Sequence, residues 1–133
     1  MKASQTYLVI ALGLAGRVDV VNARAEEAGQ DEGLRERFDV VVARAVAPLC
    51  VLAEYCLPLA KIGGVWLAQK GGDVAGEIEQ ARHAIGVLGG EIRAVHAFVL
   101  PDGSARTVIE AAKVAPAPVA YPRRPGLPEK KPL

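Results

Sequence analysis

Short apolar runs alternate with amphipathic stretches along this chain, a pattern typical of an α/β domain. The clearest apolar run extends from Val40 to Ala43, is too short for a helix and is rich in β-branched residues. Such a run is typical of a strand buried on both faces of a parallel sheet. Arg44 follows it directly, and ligands of open α/β sheets bind just beyond the carboxyl ends of the strands. Arg44 is therefore a candidate binding residue, and a helix cap or an ion pair with a neighbouring acid is the alternative.

The remaining elements follow from the same periodicities. Leu49, Leu52, Ala53, Cys56 and Leu57 form the apolar stripe of a helix packed on a sheet. The other predicted elements are a helix over 3–13, a strand over 17–21, a polar loop over 22–27, a charged and mobile segment over 29–37, a strand over 65–68, a helix over 73–88 capped by Asp73, and antiparallel strands over 91–100 and 106–112. The glycine pairs at 63–64 and 71–72 indicate turns or helix ends. Together these elements predict a mixed α/β sheet.

Beyond Val114 the composition changes. Residues 116–132 are rich in proline and show neither helical nor strand periodicity, which predicts an extended, polyproline-like arm. The chain therefore divides into a domain at 1–114 and a tail at 115–133. Although the net charge of the chain is +1, residues 111–133 hold five basic residues against Glu129 alone. A basic tail on a mildly acidic body suits contact with a polyanion, and it is also common in solvated termini.

The cysteine spacing and the hydropathy pattern restrict the cellular compartment and the kinds of site that this chain can have. Cys50 and Cys56 lie six positions apart and form no metal-ligand motif, which predicts free thiols in a reducing compartment and no metal site. The reducing compartment indicates a cytoplasmic protein. No apolar run reaches the length of a membrane span. Residues 2–15 also imitate a short signal peptide, and a core helix is the favoured interpretation of them.

Four motifs in one order carry a family resemblance. They are the six residues Asn22–Glu27 (NARAEE), the five residues Ala43–Ala47 (ARAVA), the triplet Gln69–Gly71 (QKG) and the arm Tyr121–Pro128 (YPRRPGLP). Each is weak alone, but four in register are specific. Together they resemble the C-terminal part of the RsmG (GidB) family, bacterial enzymes that methylate a guanine N7 of 16S ribosomal RNA with S-adenosylmethionine.

The resemblance implies a fold and a set of site residues. The fold is a partial methyltransferase-type, Rossmann-like mixed sheet with a C-terminal antiparallel strand pair and an extended basic tail. Ala25, Glu26 and Arg44 fall where the family binds the cofactor, Ala25 and Glu26 at its adenine. An ordinary solvated loop acid is the alternative for Glu26. No residue is expected to act as acid or base, because guanine N7 already carries a free lone pair.

The resemblance also implies an RNA-facing set of basic residues, with the 16S RNA or the small ribosomal subunit as the partner. Its members in the body are Arg24, Lys70 and Arg106, and its members in the tail are Arg123, Arg124, Lys130 and Lys131. These groups and Arg44 are expected to line one rim of the sheet. A surface charge at a strand end is the alternative for Arg24 and Lys70, and a hairpin-edge arginine that discourages edge pairing is the alternative for Arg106. Tyr121 is expected either to stack on a base or to pack against the body.

One departure from the family pattern matters for function. The family's glycine-rich cofactor loop has no counterpart before Arg24, so the chain is expected to be a C-terminal portion. The predicted strand at 17–21 would then lack its usual neighbour, and it either docks elsewhere or leaves an open sheet edge that invites self-association. The alternative function is a non-catalytic RNA-binding remnant that keeps the basic arm. A third function is binding of another nucleotide, but the sequence contains no phosphate loop such as GxxxxGK[ST].

Overall fold

A computed structural model describes residues 10–44 and 47–133 of the chain. Its elements in chain order are α1 (Ala25–Gln30), β1 (Phe38–Arg44), α2 (Leu49–Cys56), a 3₁₀ turn (Leu57–Leu59), β2 (Ala60–Lys70), α3 (Ala75–Val87), β3 (Gly90–Val99), β4 (Ala105–Lys113) and α4 (Leu127–Lys130). The predicted helix at 3–13 and the signal-peptide alternative lie mostly outside the described residues.

The four strands form one mixed sheet in the order β1-β2-β4-β3. Strand β2 pairs with β1 in parallel and with β4 in antiparallel fashion, and β3 pairs with β4 as a hairpin. The predicted mixed sheet and its C-terminal strand pair are therefore confirmed. The N–H of Ser104 donates to Asp102 Oδ1 in the hairpin turn, which is the local bonding that favours aspartate in turns.

Helices α2 and α3 cover one face of the sheet and form the core with it. Trp66 and Ala68 of β2 and Ile109 and Ala111 of β4 point into this layer, where each is fully buried. The predicted apolar stripe of α2 is buried against them. Cys56 is part of the stripe, and burial raises the pKa of its thiol to about 12.

The opposite face of the sheet is open in the part of the chain that the structure describes. Val40 is 54% exposed and Val42 is 71% exposed, and β1 lies at the sheet's edge. The prediction that β1 is buried on both faces is therefore wrong. An apolar β-branched run identifies a strand, but what covers that strand depends on other segments of the polypeptide.

Two predictions between residues 17 and 37 are also wrong. Residues 17–21 form a turn and an irregular segment instead of a strand, with Val18 and Val21 both exposed. A strand of five residues needs a neighbour for its backbone groups, and β1 pairs only with β2 among the described residues. The predicted polar loop at 22–27 instead contains the start of α1, whose Glu26 and Glu27 suit a helix N-terminus.

The Gly63–Gly64 pair lies inside β2, where a turn or a helix end is expected from the sequence. Gly63 has a φ of +91°, and a β-carbon on Gly64 would lie 2.7 Å from the carbonyl oxygen of Asp39. The register of β1 against β2 shifts at this point, between Phe38 and Val40. The pair therefore permits a bulge and a close backbone approach.

The tail runs without regular structure from Val114 to Gly126, as predicted, and then forms the single helical turn α4. It lies against α1 and α2, where Pro122 and Pro128 are fully buried. The tail is thus a segment of turns and bends docked on the body.

Candidate functional site

A shallow groove lies on the open face of the sheet at the carboxyl ends of β1 and β2. Its volume is about 440 Å³, and its walls are mainly apolar side chains. The residues that line it are Val42, Ala43, Arg44, Leu67, Gln69 and Val108. Because β1 and β2 are the parallel pair, the groove occupies the place where open α/β sheets bind ligands.

Arg44 supplies the cation of this groove. It is exposed at the last position of β1 and lies opposite Gln69 of β2. Arg106 is on the same face by strand alternation, two positions before Val108, and its Nη1 donates to the carbonyl oxygen of Ala105. The structure therefore brings Arg44 and Arg106 to one face and one end of the sheet.

Lys70 is at the same end of the sheet but on the opposite face. Its side chain is 8% exposed, and its ammonium lies 2.6 Å from Glu77 Oε2 and donates to the carbonyl oxygen of Ala47. Glu77 also accepts the N–H of Leu49 at the start of α2. Lys70 therefore joins the starts of α2 and α3, and it does not line the groove with Arg44.

The NARAEE motif forms the start of α1. Glu26 is buried, and its carboxylate accepts the N–H of Gly126 at 2.8 Å and lies 3.3 Å from Arg24 Nη2. The alternative of a solvated loop acid for Glu26 is therefore wrong. The carboxylate faces the tail, while Ala25 is half-buried and Arg24 is exposed.

The tail cations fall into two groups. Arg123 is bound to Glu54 through two side-chain hydrogen bonds, and its guanidinium lies 5.9 Å from the ring centre of Tyr121. Tyr121 itself packs against the core, which favours the packing alternative for this residue. Arg124, Lys130 and Lys131 are exposed and face solvent.

Sequence reasoning missed a buried ion pair that fixes the base of the tail. The Lys113 ammonium donates to the carbonyl oxygens of Leu57 and Ala60 and lies 2.9 Å from Glu36 Oε2. Burial lowers the pKa of Lys113, and the carboxylate of Glu36 partly opposes this shift. Burial alone would raise the pKa of Glu36, but hydrogen bonds from Lys113 and the N–H of Ala117 outweigh it and hold that pKa below its usual value.

Two features that would indicate other functions are absent from the described part of the chain. None of the helices that the structure describes is both long and apolar enough to cross a membrane. Residues 10–44 and 47–133 contain no group of three or more side chains suited to hold a metal ion.

The fold is that of Rossmann-like methyltransferases. A point mutant of the 16S rRNA (adenine(1408)-N(1))-methyltransferase from Catenulisporales acidiphilia, solved with SAM, superposes with a TM-score of 0.54 at 15% identity over 72% of this chain and 58% of that one. Precorrin 8W decarboxylase from Methanobacterium thermoautotrophicum superposes with a TM-score of 0.53 at 15% identity over 84% of this chain and 63% of that one.

The chain belongs to the GidB family, described as rRNA small subunit methyltransferase G, whose model matches residues 6–107. The ribosomal RNA small subunit methyltransferase G of Lactobacillus johnsonii is 51% identical over 127 residues, which are 95% of this chain and 53% of that protein. The resemblance found from the four motifs is thereby confirmed. The chain spans about half the length of the curated relatives it matches.

Proposed function

We propose that this chain forms part of an S-adenosylmethionine-dependent methyltransferase that modifies a guanine N7 of 16S ribosomal RNA in the cytoplasm. The observation that carries this function is the groove at the carboxyl ends of β1 and β2, with Arg44 at its end, in a chain of the GidB family. The apolar walls of the groove suit an apolar part of a ligand, and the guanidinium suits an anionic group. S-adenosylmethionine carries both chemical features.

The reaction requires alignment of the two reactants and no proton transfer from the attacking atom. When bound, the cofactor supplies an electrophilic methyl group on its sulfonium. Guanine N7 already holds a lone pair, so no proton has to leave the attacking atom and no general base is required. Holding the two reactants in line can contribute up to roughly 7–11 kcal/mol. The residues of this chain therefore serve to hold and orient.

Each proposed cofactor residue has a distinct role. Arg44 would pair with an anionic group, such as the cofactor carboxylate or a phosphate, because its planar fork makes paired hydrogen bonds. Ala25 and the backbone of α1 would contact the adenine. The Glu26 carboxylate is committed to the tail, so this residue would contribute to adenine binding through its main chain.

The RNA contacts would come from cations at the surface, of which Arg106 is half-buried and the others are exposed. Arg24, Arg106, Arg124, Lys130 and Lys131 have side chains that can reach a phosphate, and each contact should add to the salt dependence of binding. Lys70 and Arg123 already hold Glu77 and Glu54, so we assign them supporting roles behind this surface.

A second candidate function is an RNA-binding domain without transferase activity. The exposed cations of the tail favour it, because they can bind RNA whether or not the groove holds a cofactor. A glycine-rich loop, which lets the backbone approach the methionine part of the cofactor, does not occur before Arg24 in this sequence.

Two measurements separate these functions. Calorimetry with S-adenosylmethionine should show no measurable binding by this chain alone. Addition of a polypeptide matching the first half of the Lactobacillus johnsonii relative should produce both cofactor binding and methyl transfer to unmodified small subunits. RNA binding without transfer in that mixture would favour the second function, and tight cofactor binding by the chain alone would overturn the role given to the missing loop.

We also propose that the open edge of β1 supports self-association. Among the described residues, strand β1 ends the sheet with exposed Phe38, Val40 and Val42, and unpaired edges of this kind template pairing with another chain.

A further inference from the structure

Helix α1 lies between the tail and the body, where it packs on α2 and the 3₁₀ turn. No residue of α1 belongs to the hydrophobic core cluster within the described part of the chain, and Glu26 and Gly29 are the buried residues of this helix. Both face the tail, since Glu26 accepts the N–H of Gly126 and Gly29 lies against Pro122. A six-residue helix is too short to be stable by itself. The tail contacts therefore help to hold it in position beside α2 and the 3₁₀ turn.

The last residue of α1 is also hydrogen-bonded to the tail. Gln30 Nε2 donates to the carbonyl oxygen of Val119 at 3.1 Å and to that of Pro122 at 2.9 Å. These two bonds attach the last residue of α1 to a stretch of the tail that has no regular structure of its own.

Arg35 joins the same two segments from the turn that follows α1. Its Nη1 donates to the carbonyl oxygen of Gly29 at 2.9 Å. The guanidinium also donates to three tail carbonyl oxygens, those of Ala117, Pro118 and Tyr121. One side chain thus links the helix to three points on the tail.

The tail is in turn fixed to the body by Arg123 and Glu54. Glu54 lies on α2 with a side chain that is 1% exposed. Its Oε2 accepts the backbone N–H and the Nε of Arg123, and its Oε1 accepts Nη2 at 2.8 Å. A buried carboxylate held by three hydrogen bonds from one arginine is a strong, geometrically specific attachment.

We propose that the tail is a strap that holds α1 in place, and that Arg123 and Glu54 are positioning residues for the cofactor-facing residues Ala25 and Glu26. The assignment of that ligand rests on the proposed function, whereas the strap itself does not. Loss of the ion pair would release the tail and with it the bonds to Glu26, Gln30 and Arg35. The cofactor would then bind a segment that must first be ordered, which lowers its affinity.

Hydrogen exchange on the intact chain tests the strap directly. In Arg123→Ala, the helical amides of α1 should exchange on the order of tenfold faster or more, while the β2 and β4 amides keep their protection. Arg124→Ala is the matched control, because it removes an exposed arginine from the next position and should leave α1 unchanged. Unchanged α1 exchange in Arg123→Ala would overturn the proposal. Equal acceleration in α1 and in the sheet would also overturn it, because it would indicate general destabilisation.

Further variants guard against failure of Arg123→Ala to fold. Arg123→Lys keeps the charge but loses the planar fork, so it should accelerate α1 exchange by less than the alanine variant. Glu54→Gln keeps the side-chain shape and removes the charge, and it should accelerate α1 exchange selectively. If neither variant shows faster amide exchange in α1 than in the sheet, the strap is contradicted.

A kinetic measurement tests the positioning role in the reconstituted transferase described above. Arg123→Ala should raise the KM for S-adenosylmethionine by at least about tenfold and change kcat much less, and Arg123→Lys should recover part of the loss. A fall in kcat with an unchanged KM would overturn the positioning role. If the wild-type mixture transfers no methyl group, the proposed function fails, and the exchange experiment still decides whether the strap exists.

Discussion

Gly29 and Pro122 are in such close contact that a β-carbon at position 29 would lie 2.6 Å from Pro122 Cγ. The glycine is buried at the point where the tail crosses α1, so no side chain fits between the two segments. This contact makes the docking of the tail sensitive to one methyl group.

The first prediction concerns that methyl group. Gly29→Ala should lower the free energy of unfolding by about 1–3 kcal/mol, because the new methyl group must push the tail away from α1. Urea unfolding followed by the fluorescence of Trp66 measures it. Gly86→Ala in α3 is the matched control: its β-carbon meets nothing within 4 Å, so it should stabilise the chain by about 0.5–1 kcal/mol. Equal effects in the two variants would contradict the close contact.

The second prediction concerns acid unfolding. Because the pKa of Glu36 is lowered in the folded state, its ionised form contributes stability above the unfolded-state pKa, about 4.3. This contribution is lost as the pH falls through the lower folded-state pKa. Glu36→Gln should therefore be less stable than the wild type by about 1–2 kcal/mol near pH 7, and the difference should shrink below about pH 4.

Urea titrations at several pH values give that difference. Glu32→Gln removes an exposed acid four positions earlier and serves as the control. A wild-type advantage over Glu36→Gln that stays constant down to the lowest pH would mean that the ionised carboxylate is not the stabilising species.

The third prediction concerns RNA binding by the tail. Replacing Arg124, Lys130 and Lys131 with alanine should weaken binding of a 16S RNA fragment and reduce the slope of log affinity against log salt by about two. The control replaces three other exposed cations, Arg37, Lys61 and Arg82, and so makes the same change in net charge. If both triple variants lose affinity equally, the tail is not a specific RNA contact.

The fourth prediction concerns the open sheet edge. Val42→Lys should weaken self-association of the chain by at least about tenfold, because a lysine on an edge strand discourages pairing. Light scattering across a concentration series measures the association. Val119→Lys changes a tail valine that is 88% exposed, and it should leave the association unchanged. A wild-type chain that stays monomeric at every concentration would contradict the proposal.

The sequence predicted the elements whose pattern is local. The apolar stripe of α2, the hairpin of β3 and β4 and the turn at Asp102 all depend on residues within a few positions of one another. Hydrophobic periodicity depends on residues that are this close in sequence. These elements were therefore found, although β2 proved several residues longer than its apolar run.

The sequence could not predict what depends on distant partners. Lys70 and Arg123 look like surface cations in the sequence, yet they pair with Glu77 and Glu54. The short helix α1 has no apolar stripe, because a tail segment far along the chain holds it. The open face of β1 is missed for the same reason, since an apolar run does not indicate which other segment packs on it. The four family motifs led to the family directly, but they do not indicate that Lys70 and Arg44 lie on opposite faces.

The hydrogen bond from Gly126 to Glu26 has a consequence for folding during synthesis. The two residues are 100 positions apart, so α1 leaves the ribosome long before the residue that holds its carboxylate. Closing so long a loop carries an entropic cost that local elements do not bear. The sheet and its two covering helices can therefore assemble first, and α1 acquires its final position among the last events of folding.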